Sequence, residues 1–184
     1  MGKINSTQIK ILDIGCGKQK VPGSIGVDFN DNFSPDVVHN LNHFPYPFED
    51  DEFDEVYILS TLFLLENAIR VMEEVYRISK INAKVVILQP YFRSVWNYVD
   101  PWVKNFGTVH SFAFYDPNDP ICKRYQYTTA RFITVSILFD EIYENPRYLR
   151  KIIIKIANRF PRKYEIYLSH FFPLDMIQYT LKKI

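Results

Sequence analysis

The chain has 184 residues, 22 Lys and Arg against 21 Asp and Glu for a formal net charge of +1, and 47% hydrophobic residues. A chain of this length can bury roughly 70% of its unfolded surface, so a single domain over residues 1–184 is expected, with no need of metal or disulfide staples. Two cysteines, Cys16 and Cys122, exclude a disulfide framework, and apolar runs such as Leu62 to Leu65 fall far short of the roughly 20 residues of a spanning helix. Met1 to Lys10 is polar and lacks the apolar stretch of a secretory signal, so the expected location is cytoplasmic.

The charge is unevenly spread. Residues 1–122 carry 10 basic and 16 acidic side chains, and residues 123–184 carry 12 basic and 5 acidic. Aromatic content is 16%, enough for an aromatic surface or pocket as well as an aromatic core.

In chain order, Lys10 to Ile14, Ser24 to Asp28, Asp36 to Leu41 and Glu55 to Ser60 are short runs rich in β-branched residues, the pattern of buried parallel strands. From Thr61 to Lys80 the apolar residues Leu62, Leu65, Ile69, Met72, Val75 and Tyr76 recur at three- and four-residue steps, which predicts an amphipathic helix. Lys84 to Gln89 returns to the strand pattern. Residues 91–130 are crowded with aromatics and prolines and have no sustained period, which reads as an aromatic cap or functional loop. Arg131 to Phe139 is a strand, Pro146 to Arg159 a helix capped by Asn145 with Pro146 at its first position, and Asp175 to Lys182 a last strand. Strands alternating with helical connectors predict an α/β sheet.

Four of the 6 glycines, Gly15, Gly17, Gly23 and Gly26, fall in one short segment. Ile11 to Ile14 stops at Gly15-Cys16-Gly17, and Asp28 ends the next strand eleven residues after Gly17. Glycine where a strand ends lets a ligand lie against bare backbone, and an acid at the tip of the next strand can accept hydrogen bonds from ribose hydroxyls. A nucleoside ligand is implied. A dinucleotide fingerprint would need a third glycine, a helix and an acid about 20 residues on; a phosphate loop would need Lys-Ser or Lys-Thr after its second glycine. Gly15-Cys16-Gly17-Lys18-Gln19-Lys20 satisfies neither, which fits a nucleoside without phosphates.

These motifs resemble the class I S-adenosylmethionine-dependent methyltransferases, and within them the methyltransferase type 11 group. Leu12 to Gly17 is close to the first motif and Val27-Asp28 to the second. Asp36 to Leu41 resembles the third strand, with Asn40 where an acid is usual, and Pro47 to Val56 resembles the loop and fourth strand. The likeness covers residues 9–115, with Phe171-Phe172-Pro173 and the closing strand matching more loosely. It implies a Rossmann-like three-layer sandwich with a mostly parallel seven-stranded sheet and an antiparallel last strand. It also implies methyl transfer from S-adenosylmethionine, with no metal, to a small-molecule or lipid- or glycan-type acceptor. Cofactor contacts would come from Asp13, Gly15, Cys16, Gly17, Asp28, Phe29, Asn40, Leu41 and Ser60: the glycine turn admitting the amino-acid moiety, Asp28 the ribose, Phe29 and Leu41 the faces of adenine and Asn40 its edge.

Two departures stand out. Only about ten residues, among them Pro22 and Gly23, separate Gly17 from Asp28, so the first helix is shortened to one turn at most. The His-x-x-Glu-His type segment that follows the fourth strand in relatives is Thr61 to Leu65 here, without those polar groups. A non-catalytic nucleoside-binding module is therefore the rival reading. A nucleic-acid methyltransferase is a third, disfavoured by the near-zero net charge and the acidic first 122 residues.

His39 and His43 have no third ligand nearby and do not make a metal pair. Cys16 reads as a small side chain beside the cofactor, without the partnered base that a nucleophile needs. His110 lies within the aromatic segment and is the candidate catalytic base, with an ordinary hydrogen-bonded histidine as the alternative. Arg147 to Lys163 holds seven cations and no acid. Five of them, Arg147, Arg150, Lys151, Lys155 and Arg159, span half a helix opposite Leu149, Ile152, Ile153, Ile156 and Phe160. This reads either as a solvated face over a core-packed stripe or as a surface for anionic partners. The sequence leaves the oligomeric state open.

Overall fold

The computed structural model describes residues 9–140 and 146–184. Seven strands form one sheet: β1 Ile11–Ile14, β2 Ile25–Asp28, β3 Val37–Val38, β4 Phe53–Leu59, β5 Ser79–Pro90, β6 Phe132–Phe139 and β7 Met176–Lys183. Their order is β3-β2-β1-β4-β5-β7-β6. The first five pair in parallel, and β7 runs antiparallel between β5 and β6. This is the Rossmann-like, mostly parallel seven-stranded sheet that the sequence predicts, with the predicted antiparallel last strand.

Register sorts the side chains into two faces. Val56, Ile58, Val85, Ile87, Tyr179 and Leu181 line up across β4, β5 and β7 and are fully buried in one apolar cluster. Their neighbours Glu55, Tyr57, Lys84, Leu88, Gln178, Thr180 and Lys182 point the other way and are half-buried or exposed. The physical reason is connection length. The link from β1 to β2 is a turn and that from β2 to β3 is a short 3₁₀ turn at Asp31–Phe33, so neither supplies a helix.

The first long helix, α1 (Ala68–Ile78), buries Val71, Met72, Val75 and Ile78. It is shorter than the predicted Thr61 to Lys80. Its cap is Asn67, whose side chain accepts from Arg70 N at 3.0 Å, and the chain enters β5 directly at Ser79. Leu62 and Phe63 are buried by a 3₁₀ turn instead, so their helical spacing is incidental. Arg77 anchors the acidic loop before β4: its guanidinium donates to Tyr46 O (3.0 Å), Phe48 O (2.8 Å), Asp50 (2.7 Å) and Glu74 (2.8 Å).

The expected cap over 91–130 divides in two. Its first part holds the short α2 (Trp96–Val99) and leaves Val95, Trp96, Tyr98, Trp102 and Phe106 exposed. Its second part contributes to the core: Val109, Phe112 and Tyr115 are buried on the covered face, Phe112 packs edge-on against Tyr179 at 4.7 Å, and α3 (Pro120–Tyr125) follows, with Tyr125 and Tyr127 exposed. An irregular segment can fill the helical layer when its aromatics supply the buried area.

The remaining long helix, α4 (Tyr148–Arg159), starts two residues later than predicted, with Arg147 as its cap; Asn145 lies outside the described residues. Ile153 and Ala157 join the core, and Asn158 accepts from Phe139 N at 2.6 Å, closing the edge of β6. Among the described residues no helix is long and apolar enough to cross a membrane, and no group of three His, Cys, Asp or Glu could hold a metal ion.

Candidate functional site

The chain leaves β1 outward to β2 and β3, then returns to β4 on the other side of β1. A crevice opens at such a reversal, outside the carboxyl ends of β1 and β4. Gly15 closes β1 with φ +72° and Gly17 follows with φ +52°, both in the left-handed region that favours glycine. Gly15 N and Cys16 N donate to Val27 O at 2.8 and 3.2 Å, which turns the chain across the tip of β2.

Asp28 organises this turn. Its Oδ2 accepts from Gly17 N at 3.0 Å, its Oδ1 from Asn30 N at 2.9 Å, and its carbonyl from His39 N at 2.9 Å. The buried carboxylate thus joins the glycine turn to the exit from β2, and the main chain of the same residue meets the segment after β3. Each oxygen has one backbone donor and keeps a lone pair for a further one. A Cβ on Gly17 would meet nothing within 4 Å, so the backbone there is bare on its open side. Across the crevice, Thr61 donates to Gly15 O at 3.3 Å, and Ser60, exposed with φ +58°, turns the chain out of β4.

Asn40 is exposed beyond β3; its Oδ1 accepts from Asn42 N at 3.0 Å and its amide lies 3.5 Å from His43 Nε2. Phe29 is 70% exposed and free to cover a ligand. A bare glycine turn, a buried acid at the next strand tip and an exposed ring and amide beside it are the groups a nucleoside needs, and these residues fit S-adenosylmethionine.

No protein-family model and no curated protein matches this sequence. Solved structures do match in fold. A SAM-dependent methyltransferase from Archaeoglobus fulgidus superposes with a TM-score of 0.57 at 19% identity, covering 95% of this chain and 86% of the other. One from Mesorhizobium loti gives 0.57 at 12% identity, covering 95% and 91%. The cyclase SpnF gives 0.56 at 15% identity, covering 95% and 74%. The fold is that of the class I S-adenosylmethionine-dependent methyltransferases.

Within this methyltransferase fold several predicted residues take other places. Asp13 is taken up by the turn after Gly17: its Oδ2 accepts from Val21 N at 2.8 Å, and its Oδ1 is buried with no hydrogen-bond partner among the described residues. Burial pushes its carboxyl above the ordinary aspartate value. The Cys16 side chain packs on β2, with Sγ only 2.7 Å from where a Cβ on Gly26 would lie. Burial, with Asp13 and Asp28 nearby, raises its thiol, the opposite of what a nucleophile needs. Leu41 is in the core beneath Tyr46 and backs the site rather than offering a face to adenine.

His110 is likewise separated from the glycine turn. It lines a cavity of about 310 Å³ with Thr134, Ser136, Pro161 and Arg162, against the middle of edge strand β6. Four strand spacings, about 19 Å, lie between β1 and β6. The residues that sequence reasoning passed over are Thr61 and Asn30. The first was read as the start of a helix; the second acts through its backbone N–H, which carries no side-chain signature.

Proposed function

We propose that this chain is an S-adenosylmethionine-dependent methyltransferase whose cofactor lies over Gly15 to Gly17. The single observation that carries the reading is Asp28, a buried carboxylate tied to Gly17 N and Asn30 N at the mouth of the strand reversal. Asp28 would accept from the ribose hydroxyls, Phe29 would cover adenine and Asn40 would meet its edge. When bound, the cofactor supplies an activated methyl group on a sulfonium. The protein's part is to hold the two reactants in line and keep water out, which lowers the barrier by orientation.

The acceptor side is supported by the segment after β5. Lys104 N donates to Phe63 O at 2.8 Å and Asn105 Nδ2 to Leu65 O at 2.8 Å, fixing residues 102–106 against the turn that follows β4. Exposed Trp102 and Phe106 are thereby carried to the rim of the crevice, which favours a small or lipid-type acceptor with an apolar part.

One observation favours a second reading, a non-catalytic nucleoside-binding module. The turn after β4 buries Leu62 and Phe63 and offers no titratable group to the crevice. Calorimetric titration with S-adenosylhomocysteine tests what the two readings share. Wild type should bind in the micromolar range and Asp28→Asn about 10-fold or more weaker through loss of charge-assisted hydrogen bonds. Release of S-adenosylhomocysteine from S-adenosylmethionine, assayed with candidate acceptors, separates them.

A further inference from the structure

The exposed side of α4 is divided lengthwise. At about 100° per residue, Lys151, Lys155, Tyr148 and Arg159 occupy one arc of about 80°, and Ile152, Ile156 and Leu149 the next arc of about 60°. Ile153 and Ala157 occupy the inward arc. Of the two sequence readings, a solvated cationic face over a core-packed stripe and a surface for anionic partners, the first needs correction in both halves. Leu149 is 58% exposed, Ile152 38% and Ile156 37%, with Phe160 48% exposed just beyond the helix. Arg150 turns inward to Asp140 and Asp175 at 2.6 and 2.5 Å.

The apolar arc continues past the helix. Leu149 and Arg147 line an open cavity of about 500 Å³ together with Phe171 and Phe172, and Phe171 is 78% exposed. Lys163 extends the cationic side, Arg162 pairs with Asp119 at 3.7 Å, and no acid occurs from Pro146 to Tyr164. Exposed aliphatic and aromatic groups beside Lys151, Lys155 and Arg159, which have no acidic partner among the described residues, match the layering of a membrane surface, where apolar side chains enter the acyl boundary and cations meet anionic headgroups. A nucleic-acid surface would use the cations but leaves Leu149, Ile152 and Ile156 without a role.

We propose that α4 and the Phe171-Phe172 turn form a docking surface for anionic lipid bilayers, with the helix lying in the plane of the headgroups. Lys151, Lys155 and Arg159 bind the headgroups; Leu149, Ile152, Ile156 and Phe171 dip beneath them. The surface is distinct from the crevice at Gly15 to Gly17 and does not rest on methyl transfer, because its test reads binding and not turnover.

The test is cosedimentation of the full chain with vesicles of phosphatidylcholine and phosphatidylserine in a two-to-one ratio, and with phosphatidylcholine alone. Wild type should pellet with the anionic vesicles and be released by high salt. Lys151→Gln with Lys155→Gln and Arg159→Gln should weaken binding on the order of 100-fold. Ile152→Ser with Ile156→Ser should weaken it about 10-fold at unchanged melting temperature. If that pair lowers the melting temperature, Leu149→Gln, at the more exposed position, replaces it. No pelleting with anionic vesicles, full binding by the apolar variants, or tighter binding to a short RNA duplex than to vesicles would each overturn the proposal.

Discussion

Thr61 occupies the space that a side chain on Gly15 would need. A Cβ built on Gly15 lies 2.2 Å from Thr61 Oγ1 and 2.5 Å from its Cγ2, while the Thr61 hydroxyl donates to Gly15 O. The contact ties the end of β1 to the exit of β4 across the crevice, so the shape of the site depends on a pair 46 residues apart.

Gly15→Ala should therefore destabilise the protein by about 2 kcal/mol or more, from the positive φ together with the clash. Thr61→Gly in the same chain should recover the part due to the clash and leave the part due to φ. Denaturant unfolding of the two single variants and the double variant gives the coupling; strict additivity would show that the contact is not made.

Asp13 makes stability pH-dependent in a direction opposite to a salt-bridged acid. Burial raises its folded pKa, so the folded state binds the proton more tightly than the unfolded state. Its contribution is most favourable below the unfolded value of about 3.9 and is lost as pH rises through the raised folded value. The stability of wild type minus that of Asp13→Asn should fall with pH across that window. A flat difference between pH about 3 and about 7 would contradict the burial of Oδ1.

His110 sits against β6, so His110→Gln should leave S-adenosylhomocysteine affinity within about twofold of wild type. Calorimetry checks this directly. A large loss of affinity would require the β6 cavity and the glycine turn to be coupled.

Lys183 is a buried cation near the end of β7, and its ammonium donates to Ser79 O at 2.7 Å and Asp51 Oδ1 at 2.8 Å while lying 4.4 Å from the Tyr76 ring centroid. Lys183→Met keeps the stem and removes these bonds, at a cost of about 1–3 kcal/mol in denaturant unfolding. Asp51→Asn should cost less, because the amide oxygen can still accept from the ammonium and the bond to Ser79 O remains.

Much of the fold was legible because it is locally written. The runs ending at Ile14, Asp28 and Leu59 are strands because β-branched residues cluster there. Gly15 and Gly17 mark the turn because only glycine adopts their φ without cost. Asp28, eleven residues on, could be placed beside that turn from spacing alone. Tertiary structure decided the rest, through contacts that periodicity does not encode. Asp13 and Cys16 share the motif with Gly15 and Gly17, yet Asp13 is taken up by Val21 N and Cys16 by its packing against Gly26. Residues 107–130 read as a loop because they lack a period, but Tyr179 and Phe132, distant in sequence, give their aromatics a buried face. On α4 the sequence supplied one amphipathic pattern. Only the position of Asp140 and Asp175 drew Arg150 inward, and only the narrow contact with the core left Leu149, Ile152 and Ile156 facing outward.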